Sequence, residues 1–108
     1  MTDRHLWAGR TLLARPLPYQ GGTLEVSFVT PDTPDGVERA TELALFDLHG
    51  RRVCTVSRGV FAPGKQEASW NGTDDHGRQV PCGVYFLRLA HHGHTAGSLR
   101  VVVARPSE

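Results

Sequence analysis

The chain has 108 residues, twelve Lys and Arg against eleven Asp and Glu, and a formal charge of +1. That length is one domain, and 39% hydrophobic with 21% charged residues excludes wholesale disorder. The near-balance of charge argues against a nucleic-acid partner, because phosphates are neutralised by a basic field.

Twelve Gly and seven Pro in so short a chain favour many turns over long helices. Period-two apolar alternation recurs along the chain and helical periodicity does not. Residues 1–15 read as an N-terminal arm or linker, with Thr11 to Ala14 a possible extra strand ahead of Pro16 and Pro18. The predicted domain covers 16–105, and 106–108 form a tail. Thr23 to Phe28 alternates cleanly and predicts a half-buried strand, after which Pro31, Pro34, Asp35 and Gly36 make a loop. Glu42 to Leu48 is apolar on both faces, as expected of a central strand. His49-Gly50 turns the chain into a strand over Arg52 to Ser57, and Gly59, Pro63 and Gly64 break it again.

Gln66 to Trp70 is a short strand that runs into the dense turn cluster Asn71 to Gly77. Gly83 to Ala90 is a strong strand, with Tyr85, Leu87 and Leu89 on one face. His91 to His94 closes a hairpin onto Thr95 to Ala104, where Leu99, Val101 and Val103 alternate. Six or seven short strands separated by turn signals predict a sandwich or a barrel. The expected core includes Phe28, Trp70, Tyr85, Leu87, Leu89 and Val101, and no internal repeat is visible.

Several residues carry structural expectations. Trp70 supplies a large apolar face and an indole N–H that needs an acceptor. Asn71 and Asp74 are placed to bond backbone N–H groups in the following turn, and Asp75 belongs to the same cluster. Gly50, Gly72 and Gly77 occupy turns, where positive φ is needed. Gly83 lets the chain enter its strand closely, and Tyr85 is placed to tie its hydroxyl to nearby backbone, as in a tyrosine corner. The last strand has apolar residues on both sides, since Val102 faces away from Val101 and Val103. Leu99, Val101, Val102 and Val103 therefore read as an interaction edge that a neighbour must cover, with Leu12 and Leu13 of the arm as candidates.

Candidate chemistry is sparse. His91, His92 and His94 are metal-ligating types, but neighbours on a hairpin point to opposite faces. Asn71, Thr73, Asp74 and Asp75 offer oxygens without the spacing of a calcium loop, and Asn71-Gly72-Thr73 is formally a glycosylation sequon. Cys54 and Cys82 lie outside any CxxC pattern, which leaves either a cross-strand disulfide or two separate thiols. No Gly-x-Ser-x-Gly elbow accompanies the Ser, His and Asp residues present. Arg10, Arg15, Arg51 and Arg52 are read as solvated surface. The expectation is no enzyme, no catalytic residue, no metal and no cofactor. No apolar run is long enough to span a bilayer, and Met1 to Ala8 does not read as a signal peptide.

Three pieces carry a family likeness: LALFDLHGRRV from Leu43, FAPGKQEASWNGTDDHGRQVPCGVYFLRL from Phe61, and the closing valine-rich strand. Together with the Pro16-Leu17-Pro18 entry they resemble the FlgD-type Ig-like domain and the C-terminal sorting domain of type IX secretion. The resemblance implies an all-β, immunoglobulin-like (fibronectin III-like) sandwich of about seven strands. It further implies a non-catalytic structural or interaction module of exported bacterial proteins, extracellular or at the cell surface. Its expected partner is protein, either a second copy in a homo-oligomer or a larger complex, with no nucleic acid and no membrane span. Two alternatives stand beside it: a free-standing protein that self-assembles or decorates a larger particle, and a carbohydrate-binding module. The last needs exposed aromatics, whereas most aromatics here take core-like positions.

Overall fold

The computed structural model describes residues 12–30 and 39–104. Seven strands form in chain order: β1 (Leu12–Arg15), β2 (Leu24–Thr30), β3 (Arg39–Phe46), β4 (Arg52–Phe61), β5 (Gly64–Trp70), β6 (Gly83–His91) and β7 (His94–Val103). They make a three-stranded sheet in the order β1-β2-β5 and a four-stranded sheet in the order β4-β3-β6-β7, with every strand pair antiparallel.

Alternation decides which side of each strand is buried. In β2, Leu24, Val26, Phe28 and Thr30 are all sealed from solvent and lie opposite Trp70, Ala68, Gln66 and Gly64 of β5. The one polar member, Thr30, directs its hydroxyl at the carbonyls of Ala62 (2.7 Å) and Gly64 (3.1 Å), which offsets the cost of burying it. From the other sheet Leu43, Leu45, Leu87, Leu89 and Val101 complete the core. Central strand β3 is covered on both faces, since Ala44 is buried along with Leu43 and Leu45. The strand stops at Phe46, however, and Leu48 stands 65% exposed in the turn that follows.

Strand β4 runs through Gly59 to Phe61, beyond the expected break. Its pairing with β3 shifts register at Leu43/Ala44 and at Leu45/Phe46. Each shift leaves one extra β4 residue, Val56 and Val53, and such bulges twist an edge strand and spoil its simple alternation.

Leu12–Arg15, which falls inside the expected arm, is β1 and pairs with β2, with Leu12 buried. The chain then crosses between the sheets. Tyr19 donates its N–H to Val102 O (2.8 Å) and accepts the N–H of Ala104 (2.8 Å), which makes a parallel bridge beside β7. The expected interaction edge is corrected accordingly. Val101 and Val103 are core residues, Leu99 packs against the core, and only Val102 lies half-buried on the outer side. The end of β7 is paired by the segment of Tyr19, and β1, which carries Leu12 and Leu13, also lies against β7. The tail residues Pro106 to Glu108 and Arg10 lie outside the described residues.

Candidate functional site

The residues singled out around Trp70 form a structural corner. Trp70 is 5% exposed, donates its indole N–H to Thr73 O (2.8 Å) and rests against the Tyr19 ring, with centroids 5.1 Å apart. Gly72 has φ +89°, and a Cβ there would stand 2.5 Å from the Tyr19 hydroxyl, so no side chain fits. That hydroxyl donates to Gly22 O (2.8 Å), and Tyr85 donates its own to Pro81 O (2.6 Å), four residues back, in the manner of a tyrosine corner. Asn71 accepts the Thr73 hydroxyl (2.6 Å). Asp75 accepts the Thr55 N–H (3.1 Å) and gives its own N–H to Val53 O (3.2 Å), pinning the turn cluster to the bulged edge of β4. Gly83 opens β6 opposite Val103.

Two turns prove to be copies of one another. Asp47-Leu48-His49-Gly50-Arg51 and Asp74-Asp75-His76-Gly77-Arg78 share the pattern Asp-x-His-Gly-Arg, a short repeat the sequence reading passed over. In both, Asp Oδ1 accepts two backbone N–H groups: His49 (2.8 Å) and Arg51 (3.0 Å) in the first, His76 (2.9 Å) and Arg78 (3.0 Å) in the second. The glycines take φ +79° and +81°. The arginine Nε returns to the second carboxylate oxygen, at 3.2 Å and 3.4 Å. The Arg51 N–H bonded to Asp47, and the Arg78 N–H bonded to Asp74, are the chief causes that hold these carboxyls below the ordinary 3.8.

The charges of the four-stranded sheet gather on its outer face. Residues directly opposite in a sheet share a face, and the register sets Arg52, Phe46, Phe86 and Arg100 in one row across β4, β3, β6 and β7. The next row places Arg88 beside Ala44, and the row beyond places Arg58 beside Glu42. Glu42 binds Arg52 (2.9 Å) and reaches Arg58 (3.7 Å). The guanidinium groups of Arg88 and Arg52 stand over the Phe46 ring at 4.3 Å and 5.3 Å from its centroid. Stacking fixes the plane of each guanidinium; Arg52 already gives Nη1 to Thr55 (3.2 Å) and Nη2 to Glu42, so of the two it is Arg88 that turns its edge N–H donors to an anion. This face thus carries four arginines and one glutamate. By the same alternation the outer face of the other sheet holds Arg15 and Lys65 against Glu25 and Glu67, an even balance.

The remaining candidates stay apart. Of the arginines read as solvated surface, Arg52 lies on the basic face, Arg15 on the opposite sheet and Arg51 on a turn. His91 Nδ1 is 2.9 Å from the Thr41 hydroxyl, and His92 lies in the β6–β7 turn with φ +54°. Among the described residues no three His, Cys, Asp or Glu side chains converge as a metal site. Cys54 is buried and Cys82 exposed, and they form no disulfide; burial, ahead of the nearby Asp75 charge, pushes the Cys54 thiol up to about 11. Among the described residues no helix is long and apolar enough to cross a membrane.

No protein-family model matches the chain, and no curated protein does either. A solved structure does: the Pseudomonas fluorescens alkylpurine DNA glycosylase AlkC bound to DNA containing an abasic site analog. The TM-score is 0.60 at 17% identity, over 88% of this chain and 29% of that one. The likeness supports the fold, an all-β arrangement of two antiparallel sheets. It corrects the expectation of a non-catalytic secretion or scaffold module with protein partners and no nucleic acid, because the shared fold occurs in a protein bound to DNA. This chain spans 29% of the length of that glycosylase. The physical flaw lay in the charge argument: a total of +1 says nothing about where charges sit.

Proposed function

We propose that this chain is a DNA-binding module, an immunoglobulin-like sandwich whose four-stranded face lies against the phosphate backbone. The observation that carries the reading is the segregation of charge, with Arg52, Arg58, Arg88 and Arg100 on one sheet face against the single Glu42. The immunoglobulin-like assignment draws support from three strands packed on four, the buried Trp70 and the Tyr85 hydroxyl tied to Pro81. The DNA bound by AlkC supports the choice of nucleic acid over other polyanions. These arginines stand on sheet strands among the described residues, so the contacts go to phosphates rather than base edges and binding is indifferent to sequence. No catalytic role is assigned to any residue of the face.

Fluorescence anisotropy with a labelled DNA duplex tests the reading. Arg88→Glu with Arg100→Glu should abolish binding, and Arg15→Gln on the opposite sheet should leave it unchanged. Equal affinity for all three proteins, or no binding by the unaltered chain, refutes it.

A further inference from the structure

The twin turns line one groove of about 550 Å³, within the range of small-ligand sites. Arg51 and Arg78 both border it, with Val53, Val80 and Tyr85 among the other lining residues. Each arginine engages its own aspartate through Nε, which leaves both terminal nitrogens for another partner. The two guanidinium side chains are 76% and 75% exposed, while the carboxylates that hold them are 23% and 21% exposed and already bonded to two backbone N–H groups each. Asp75, also at the groove, is occupied by the Thr55 N–H. The groove therefore offers its arginine ends outward and keeps Asp47 and Asp74 turned in, with Asp75 exposed at its border. Arg52 borders the groove and also stands over Phe46, so the site is continuous with the basic sheet face.

We propose that this groove is a binding site for a phosphate monoester, gripped by Arg51 and Arg78, with the apolar lining under the organic part of the ligand. A tetrahedral dianion accepts bidentate hydrogen bonds from two separate guanidinium forks, which a lone carboxylate does less well. The ester is either a free nucleotide or the terminal phosphate of a DNA strand; the second source rests on the DNA-binding reading.

NMR of the arginine Nε–Hε resonances, titrated with thymidine monophosphate, is the test. Saturable shifts at Arg51 and Arg78, absent with thymidine, are expected. R51Q/R78Q should weaken binding about tenfold or more, since hydrogen bonds to charged groups are worth that much. Both side chains are largely exposed, so this variant should keep its melting temperature. R51K/R78K retains charge and loses the forks, and it should bind more weakly than the unaltered chain. Shifts elsewhere, equal binding of thymidine, or undiminished binding by the lysine variant overturns the proposal.

A duplex with and without a 5′-phosphate separates the sources. Preference for the phosphorylated duplex, lost in R51Q/R78Q, assigns the site to DNA ends; mononucleotide binding without that preference assigns it to free nucleotides. R88Q/R100Q should weaken both duplexes and leave mononucleotide binding unchanged. If no duplex binds while the mononucleotide does, the DNA-binding reading fails and the groove stands.

Discussion

Salt dependence gives the sharpest test of the basic face. Each phosphate neutralised on duplex DNA releases counterions and contributes a slope of about −0.9 to the plot of log affinity against log salt. Four arginines on the face set the upper bound at about −3.6. Arg52 and Arg58 share Glu42, whereas Arg88 and Arg100 make no ion pair among the described residues, so the latter two are the cleanest pair to remove. R88Q/R100Q should bring the slope to about −1.8. Between roughly 50 and 200 mM salt the unaltered chain would then lose about 150-fold in affinity and the variant about 12-fold. Anisotropy at a series of potassium chloride concentrations measures both slopes. A shallow slope in the unaltered chain, or one that R88Q/R100Q leaves alone, would mean that the arginine rows do not meet phosphates.

Other perturbations probe the scaffold. Trp70→Ala removes a buried ring and its bond to Thr73, and should cost about 3–5 kcal/mol in denaturant titrations; a loss below about 1 kcal/mol would contradict its burial. Asp47 and Asp74 are depressed in the folded state. Their stabilisation is thus complete above the unfolded value of 3.8 and disappears as pH falls through the lower folded values. Acid melts of D47N/D74N should therefore show a smaller loss over that window than the unaltered chain. Cys54, buried and raised to about 11, should resist alkylation at mildly alkaline pH while the exposed Cys82 reacts, as intact mass would show.

The strands were legible wherever one face is dry. Leu24, Val26 and Phe28, or Tyr85, Leu87 and Leu89, announce their inward side through simple alternation. The reading was less good where geometry departs from that rule. Two bulges let β4 pass Gly59, and the apolar Leu48 was counted into a strand although it sits in a turn. The corner around Trp70 was readable because turn chemistry is local: Asp74 bonds residues two and four places on. The basic face was not, because Arg52, Arg58, Arg88 and Arg100 come from three strands and meet only through sheet order. The paired turns were present as four matching positions in a span of five, too short to register as a repeat until their shared hydrogen bonds are seen.

The bridge at Tyr19 bears on how the domain responds to tension. Its two backbone hydrogen bonds join the segment after β1 to the end of β7, in parallel. Pulling on the chain before β1 and after Ala104 slides these two segments past each other. Bonds that lie across the direction of sliding are loaded together, whereas a hairpin pulled from its open end releases its bonds one after another. The Tyr19 clasp and the short β1–β2 ladder therefore stand first in the line of force, ahead of the long β6–β7 hairpin. Loads transmitted along the chain would be met at this fastening before they reached the arginine rows.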